Sequence, residues 1–177
     1  MAQGLVDRMR GAAALDVATY EEVENDLTAT GQAATVVAIA AVAAAIGAPR
    51  SGGGGVIAAL ITQLLGWAIW AAATYWVGTK LMDGTATWGE LLRTLGFAQS
   101  PGVLLVLGII PFLGGLVRVA VAIWILVASV IAIRQALDVT TGKAVVTGIV
   151  AAVVIFLVNM LLLAIFGVTA ALTMRMP

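Results

Sequence analysis

The charges of this 177-residue chain leave five long stretches with no charged residue at all. They are 27–49, 51–79, 94–117, 119–133 and 144–174, or 23, 29, 24, 15 and 31 residues by subtraction. An α-helix that crosses the hydrocarbon core of a bilayer needs about 20 mostly apolar residues. Four stretches reach that length. The fourth in order is short, about 22 Å at helical rise, but Arg118 and Arg134 bound it. Both can snorkel out of the lipid, so a full crossing is expected there too. The runs are unbroken rather than alternating, which means helices and not barrel strands. The expected fold is all-α: a polytopic membrane protein with a five-transmembrane-helix bundle, in one domain over 1–177. A polar, acidic head occupies 1–30 and the bundle 31–172.

Composition agrees. Hydrophobic residues make up 62% of the chain and charged residues 10%, against about 25% charged in an ordinary soluble domain. There is no Cys and no His. That removes disulfides, thiolate and imidazole metal sites, and the commonest nucleophiles and general base. Residues 1–30 carry Asp7, Asp16, Glu21, Glu22, Glu24 and Asp26 against Arg8 and Arg10. Such an acidic head argues against nucleic-acid binding and against a polybasic lipid-binding tail. It is not patterned as a signal peptide, which places a basic region directly before an apolar core. No cofactor, metal or small-molecule ligand is expected, and no enzyme.

Along the chain, Leu5, Met9 and Ala12 share one face of a short amphipathic helix over 4–15. Thr19 and Glu22 form a capping-box pattern, with Thr19 as N-cap. Tyr20, Val23 and Leu27 then share the buried or lipid-facing side of an interfacial helix over 20–27. Helix 1 spans about 31–47. The Gly52–Gly55 run after Pro49 and Arg50 reads as a flexible connection, because it lacks the Lys-Ser/Thr of a phosphate-binding loop. Helix 2 spans about 56–79. Ala58, Thr62 and Gly66 suggest a packing seam along it. Trp67, Trp70, Tyr75 and Trp76 suggest packing and an interfacial belt. Between helices 2 and 3, Asp83-Gly84 marks a turn and Thr87 with Glu90 a second capping box. The amphipathic helix this box opens is expected at the membrane surface. Helix 3 begins after Pro101 and runs to about 114, with Pro111 kinking or ending it and Gly114-Gly115 turning the chain. It either crosses fully or re-enters. Helix 4 spans about 117–136 and helix 5 about 143–172.

Five crossings put the head, the 80–100 island and the 137–143 turn on one side. That side holds Arg8, Arg10, Lys80, Arg93, Arg134 and Lys143, and the other Arg50, Arg118 and Arg175. Six against three predicts a cytoplasmic N-terminus and an exoplasmic C-terminus in the inner membrane of the cell. Asp83, Glu90, Arg93, Arg134, Asp138 and Lys143 are candidates for a cytoplasmic contact surface. Capping and snorkelling explain the same residues without any function. Thr62, Gln63 and Asn159 are candidates for intramembrane hydrogen bonds between helices, or for a polar path. Gly142-Lys143 is no P-loop: position 137 is Leu and position 144 Ala.

One region is familiar in its order of elements. Asp83-Gly84-Thr85-Ala86-Thr87 and Glu90-Leu91-Leu92-Arg93 lead to Leu95-Gly96-Phe97-Ala98 and Pro101. Ile110-Pro111, Ile123-Trp124, the Ala132–Asp138 run and Thr140–Ala144 follow. With Tyr20–Glu24 and Gly31–Ala33 in the head, the chain resembles the prokaryotic branch of the Yip1 domain family. The resemblance implies a five-helix bundle with a cytoplasmic N-terminus and an exoplasmic C-terminus, and binding to other membrane proteins; a homo-oligomer is expected as the other arrangement of an adaptor. In eukaryotes the resemblance implies Golgi and vesicle membranes and Rab GTPases. It supplies no catalytic residues to match. Two functions are therefore carried forward: a non-enzymatic membrane adaptor or scaffold, and a small transporter, channel or lipid-moving protein with a polar path near Arg134 and Asn159.

Overall fold

Residues 4–48 and 55–173 are described by the structure, a computed structural model, and those residues contain helices and no strand. The connection carrying Pro49, Arg50 and Gly52 and the end carrying Arg175 lie outside them.

Helices α1 (Leu5–Ala13) and α2 (Val17–Asn25) form the head. Ala12 is buried, with Leu5 and Met9 packed against the core as their spacing predicts. The start of α2 differs from the capping-box reading. Asp16 is the N-cap, and its carboxylate accepts from the Thr19 amide at 3.1 Å and the Thr19 hydroxyl at 2.7 Å. An ionised carboxylate serves the first-turn amides at least as well as a hydroxyl, so the helix starts earlier and Thr19 lies inside it. Tyr20 and Val23 are fully buried, whereas Leu27 is 79% exposed. Helix α2 ends at Asn25, so its periodicity does not carry to Leu27.

Five segments are long and apolar enough to cross a membrane. They are Ala29–Gly47 (α3), Val56–Leu81 (α4), Trp88–Ile109, Gly114–Ala136 (α6) and Thr141–Leu161, the last within α7 (Thr141–Thr173). They run alternately away from and back to the head. At the head end the Thr85 amide donates to the Leu137 carbonyl at 3.2 Å, and Gln135 donates to Glu21 at 2.9 Å. At the far end Arg118 donates to the Gly47 carbonyl at 2.9 Å.

The third crossing corrects the expectation most. The capped amphipathic helix exists as α5 (Trp88–Phe97), and the Thr87–Glu90 capping box is complete. It does not lie on the surface: Leu91, Arg93, Thr94, Leu95 and Phe97 are all buried. It continues into a ten-residue 3-10 helix (Ser100–Ile109), and the two together make the crossing. At about 2.0 Å per residue the 3-10 stretch covers about 20 Å, and α5 adds about 15 Å. The helix ends at Ile109, not near 114. Ile110 adopts the extended φ −75°, ψ 120° that a following proline favours, so Pro111 stands beyond the helix. This crossing is the hub of the bundle, packed against α2, α3, α4 and α6.

At the far end three backbones touch. A side chain at Gly47 would overlap the Leu105 carbonyl, and one at Gly108 would come within 2.6 Å of the Gly47 carbonyl oxygen. Gly114 is buried at the same junction, 2.7 Å from the Gly108 oxygen by the same measure, while Gly115 is open. The seam predicted along α4 is absent. Ala58, Thr62 and Gly66 are exposed, and a methyl at Gly66 would meet nothing within 4 Å. Helix α4 instead packs through Ala71, Thr74, Val77 and Gly78, one helical face nearer the head. Tyr75 and Trp76 are outward-facing, as a belt requires, and Trp67 donates to the Leu92 carbonyl at 3.0 Å.

Candidate functional site

The polar end is built on two buried arginines. Arg8, on α1, is 1% exposed. Its guanidinium meets Glu22 at 2.9 Å, Asp26 at 2.6 Å and the Gln32 side-chain oxygen at 3.0 Å. It thus ties α1 to α2 and to the first turn of α3. A buried guanidinium costs desolvation unless it is paired and hydrogen-bonded, and here it is both. Asp26 is held down to about 2 by bonds from the Thr28 hydroxyl and Arg8. Tyr20 is buried, which pushes its phenol up, and its hydroxyl donates to the Ala12 carbonyl at 3.1 Å.

Arg93, on α5, is 4% exposed. Its Nε donates to the Val23 and Glu24 carbonyls, each at 3.0 Å, and its Nη2 also donates to Glu24. Those carbonyls belong to the last turn of α2, where the helix leaves acceptors unpaired and carries partial negative charge. Arg93 is therefore a latch between head and third crossing. The expectation of a surface contact residue is corrected for it: the carbonyls provide what water would have provided.

The other candidates do gather at this end. Lys143 reaches the Met82 carbonyl at 2.9 Å and the exposed Asp83 carboxylate at 3.4 Å. Asp138 accepts from the Thr85 hydroxyl at 3.1 Å. Asp83 and Asp138 both take positive φ, 58° and 53°, which aspartate tolerates better than most residues. Glu90 accepts from the Thr87 amide at 2.8 Å. Arg134 donates to Gln135 at 2.8 Å, and Gln135 donates to Glu21.

The missed residues lie on α2. Glu24 is half-buried among carboxylates. Burial, then Asp138, Glu90 and Glu21, push its carboxyl up to about 7, with Arg93 opposing. The acidic face of α2 was legible. Its approach to Glu90 and Asp138 was not, because those residues lie far along the chain. Among the described residues no group of three or more Asp or Glu is arranged to hold a metal ion.

The intramembrane candidates do not meet. Asn159 is exposed on α7 and donates to the Ile155 carbonyl of its own helix at 2.8 Å. Thr62 is exposed, and Gln63 makes no hydrogen bond among the described residues. The bonds expected between helices are therefore not formed by these three. An outward Asn159 cannot line an internal path with Arg134, which sits at the head end.

A helical head and five apolar crossings define a multi-pass helical membrane protein. The Yip1 domain pattern matches residues 17–171, which is most of the chain, and the protein belongs to the Yip1 domain family. No curated protein and no solved structure matches it significantly.

Proposed function

We propose that the protein is a non-enzymatic adaptor whose head end binds a basic segment of another membrane protein. The carrying observation is the distribution of partners at that end. The buried cations Arg8 and Arg93 are spent on contacts within the chain. Glu21, Glu90 and Asp138 meet neutral donors, so their charge is left uncompensated, and Glu24 titrates among them. A rigid acidic surface at a membrane face suits a juxtamembrane Lys/Arg segment, which gains both charge and orientation there. Family membership supports membrane-protein partners in general. The charge count supports an inner-membrane protein with its head cytoplasmic.

Photo-crosslinking in intact membranes tests the reading. A crosslinker placed at Asp138 should give one discrete protein adduct, lost in Glu21→Lys/Glu24→Lys, while one at the lipid-facing Val153 should not. No adduct from the head end, or solute flux through the protein in liposomes, would sink it. Labelling single cysteines introduced into this Cys-free chain checks the orientation. A head accessible only from outside would reverse it.

A further inference from the structure

We propose that the far end of the bundle holds one anionic phospholipid, with its phosphate on Arg118 and one acyl chain in the groove between α3, α4 and the 3-10 helix. This rests on observations separate from the adaptor reading.

The charge argument comes first. All nine acidic residues lie at 7–26, 83, 90 and 138, in the head, the two head-end connections and the first turn of α5. Arg118 lies one turn into α6 from the opposite end. Among the described residues no Asp or Glu side chain lies near it. Its Nη2 donates to the Gly47 carbonyl at 2.9 Å, and its remaining donors have no partner among the described residues. Arg50 and Arg175 belong by sequence to the same end, again without an acid. Arg118 is exposed at the edge of the bundle, so its planar fork is open to a phosphate, whose geometry it matches.

The space argument is independent of the charge. Beside Arg118 is a cavity of about 340 Å³, lined also by Ile46, Gly108, Pro111, Phe112 and Gly115. A second space of about 480 Å³ runs along α3, lined by Thr35, Ile39, Val42, Ile46, Leu60 and Val106. Ile46 lines both, so the two spaces adjoin across one side chain. From Thr35 to Ile46 the groove follows α3 for about 16 Å at helical rise. That is the depth of one leaflet of a core about 30 Å thick. An inorganic anion would satisfy Arg118 and leave the groove empty. A phospholipid fills both. The first-turn amides of α6 face the same end, and its N-cap Leu113 offers them no side-chain cap.

The test is native mass spectrometry of the full chain released from mixed phosphatidylglycerol–phosphatidylcholine vesicles. One phosphatidylglycerol should stay bound, and excess inorganic phosphate should not displace it. Arg118→Gln should lower retention about fivefold, the effect of one basic residue at an anionic surface. Ala38→Trp, which fills the groove beside Ile39, should lower it with Arg118 intact. Because Arg118 also caps Gly47, the Ala38→Trp variant decides the matter if Arg118→Gln does not fold. Equal retention in wild type and Ala38→Trp overturns the proposal. So does displacement by inorganic phosphate, which would leave a plain anion site.

Discussion

Arg93 should be the residue on which docking of the head depends. Its guanidinium makes three hydrogen bonds to two carbonyls in the last turn of α2, and it is almost wholly buried while doing so. Arg93→Met keeps most of the apolar stem and removes every donor. Hydrogen bonds from a charged donor contribute about 1.5–3 kcal/mol each, and buried acceptors left unpaired add a penalty. These bonds share acceptors and do not add fully, and the freed end of α2 can take up water. A net loss of about 3 kcal/mol is the reasoned figure. At about 1.4 kcal/mol per decade it corresponds to roughly a hundredfold more frequent opening. Hydrogen exchange of the full chain in nanodiscs reads this directly. Amides of Tyr20–Asn25 should lose about two decades of protection, while α6 and α7 keep theirs. Arg93→Lys should recover only part, because one ammonium cannot reproduce the fork that spans both carbonyls. If Arg93→Met changes protection in α2 by less than threefold, the latch is not Arg93. The head would then be held by Arg8 and by burial of Tyr20 and Val23.

Glu24 gives a pH signature. Its folded value, about 7, lies above the ordinary 4.5, so the folded state binds the extra proton. Its contribution is fully present below pH 4.5 and is lost as pH rises through about 7. After discounting for its partial exposure this amounts to about 1 kcal/mol. Glu24→Gln should therefore melt higher than wild type at pH 8 and the same at pH 4, and parallel profiles would refute the assignment. At the far end, Gly47→Ala forces a methyl onto the Leu105 carbonyl and should cost about 3 kcal/mol in thermal unfolding. Gly66→Ala meets nothing and should be neutral or stabilising by up to about 1 kcal/mol. Similar effects from the two glycines would contradict the packing described for either.

The number of crossings was legible because lipid demands length and low charge, and both are properties of the sequence. The Thr87–Glu90 cap was legible because its partners are three residues apart. The third crossing was not. An amphipathic pattern such as Leu91, Leu95 and Phe97 fixes which face of α5 is apolar, but not whether the polar face meets water or another helix. Arg93 among those residues pointed to the surface, and the structure turns it inward. A 3-10 helix over Ser100–Ile109 is likewise invisible to a search for helical period, although its longer rise is what lets a short segment cross.

Arg93 and Asn159 make a matched pair of errors with one cause. Sequence reasoning placed the cation outside and the amide inside, and the structure does the reverse. In each case a backbone carbonyl supplies the missing partner. For Arg93 these are the open acceptors of α2, where Val23 lies 70 residues before it in sequence. For Asn159 it is the Ile155 carbonyl one turn back on α7. Backbone acceptors occur at every position and carry no residue code, so nothing in the sequence marks which of them are free. Helix ends do mark them. Two arginines of this bundle are found at the last turn of another helix: Arg93 at the end of α2 and Arg118 at the end of α3. The two sites then differ in burial, Arg93 being buried and Arg118 exposed, and in the charges around them. Arg93 sits in a field of carboxylates, whereas among the described residues no Asp or Glu side chain lies near Arg118, and that difference is why the counter-charge for Arg118 is sought in the lipid.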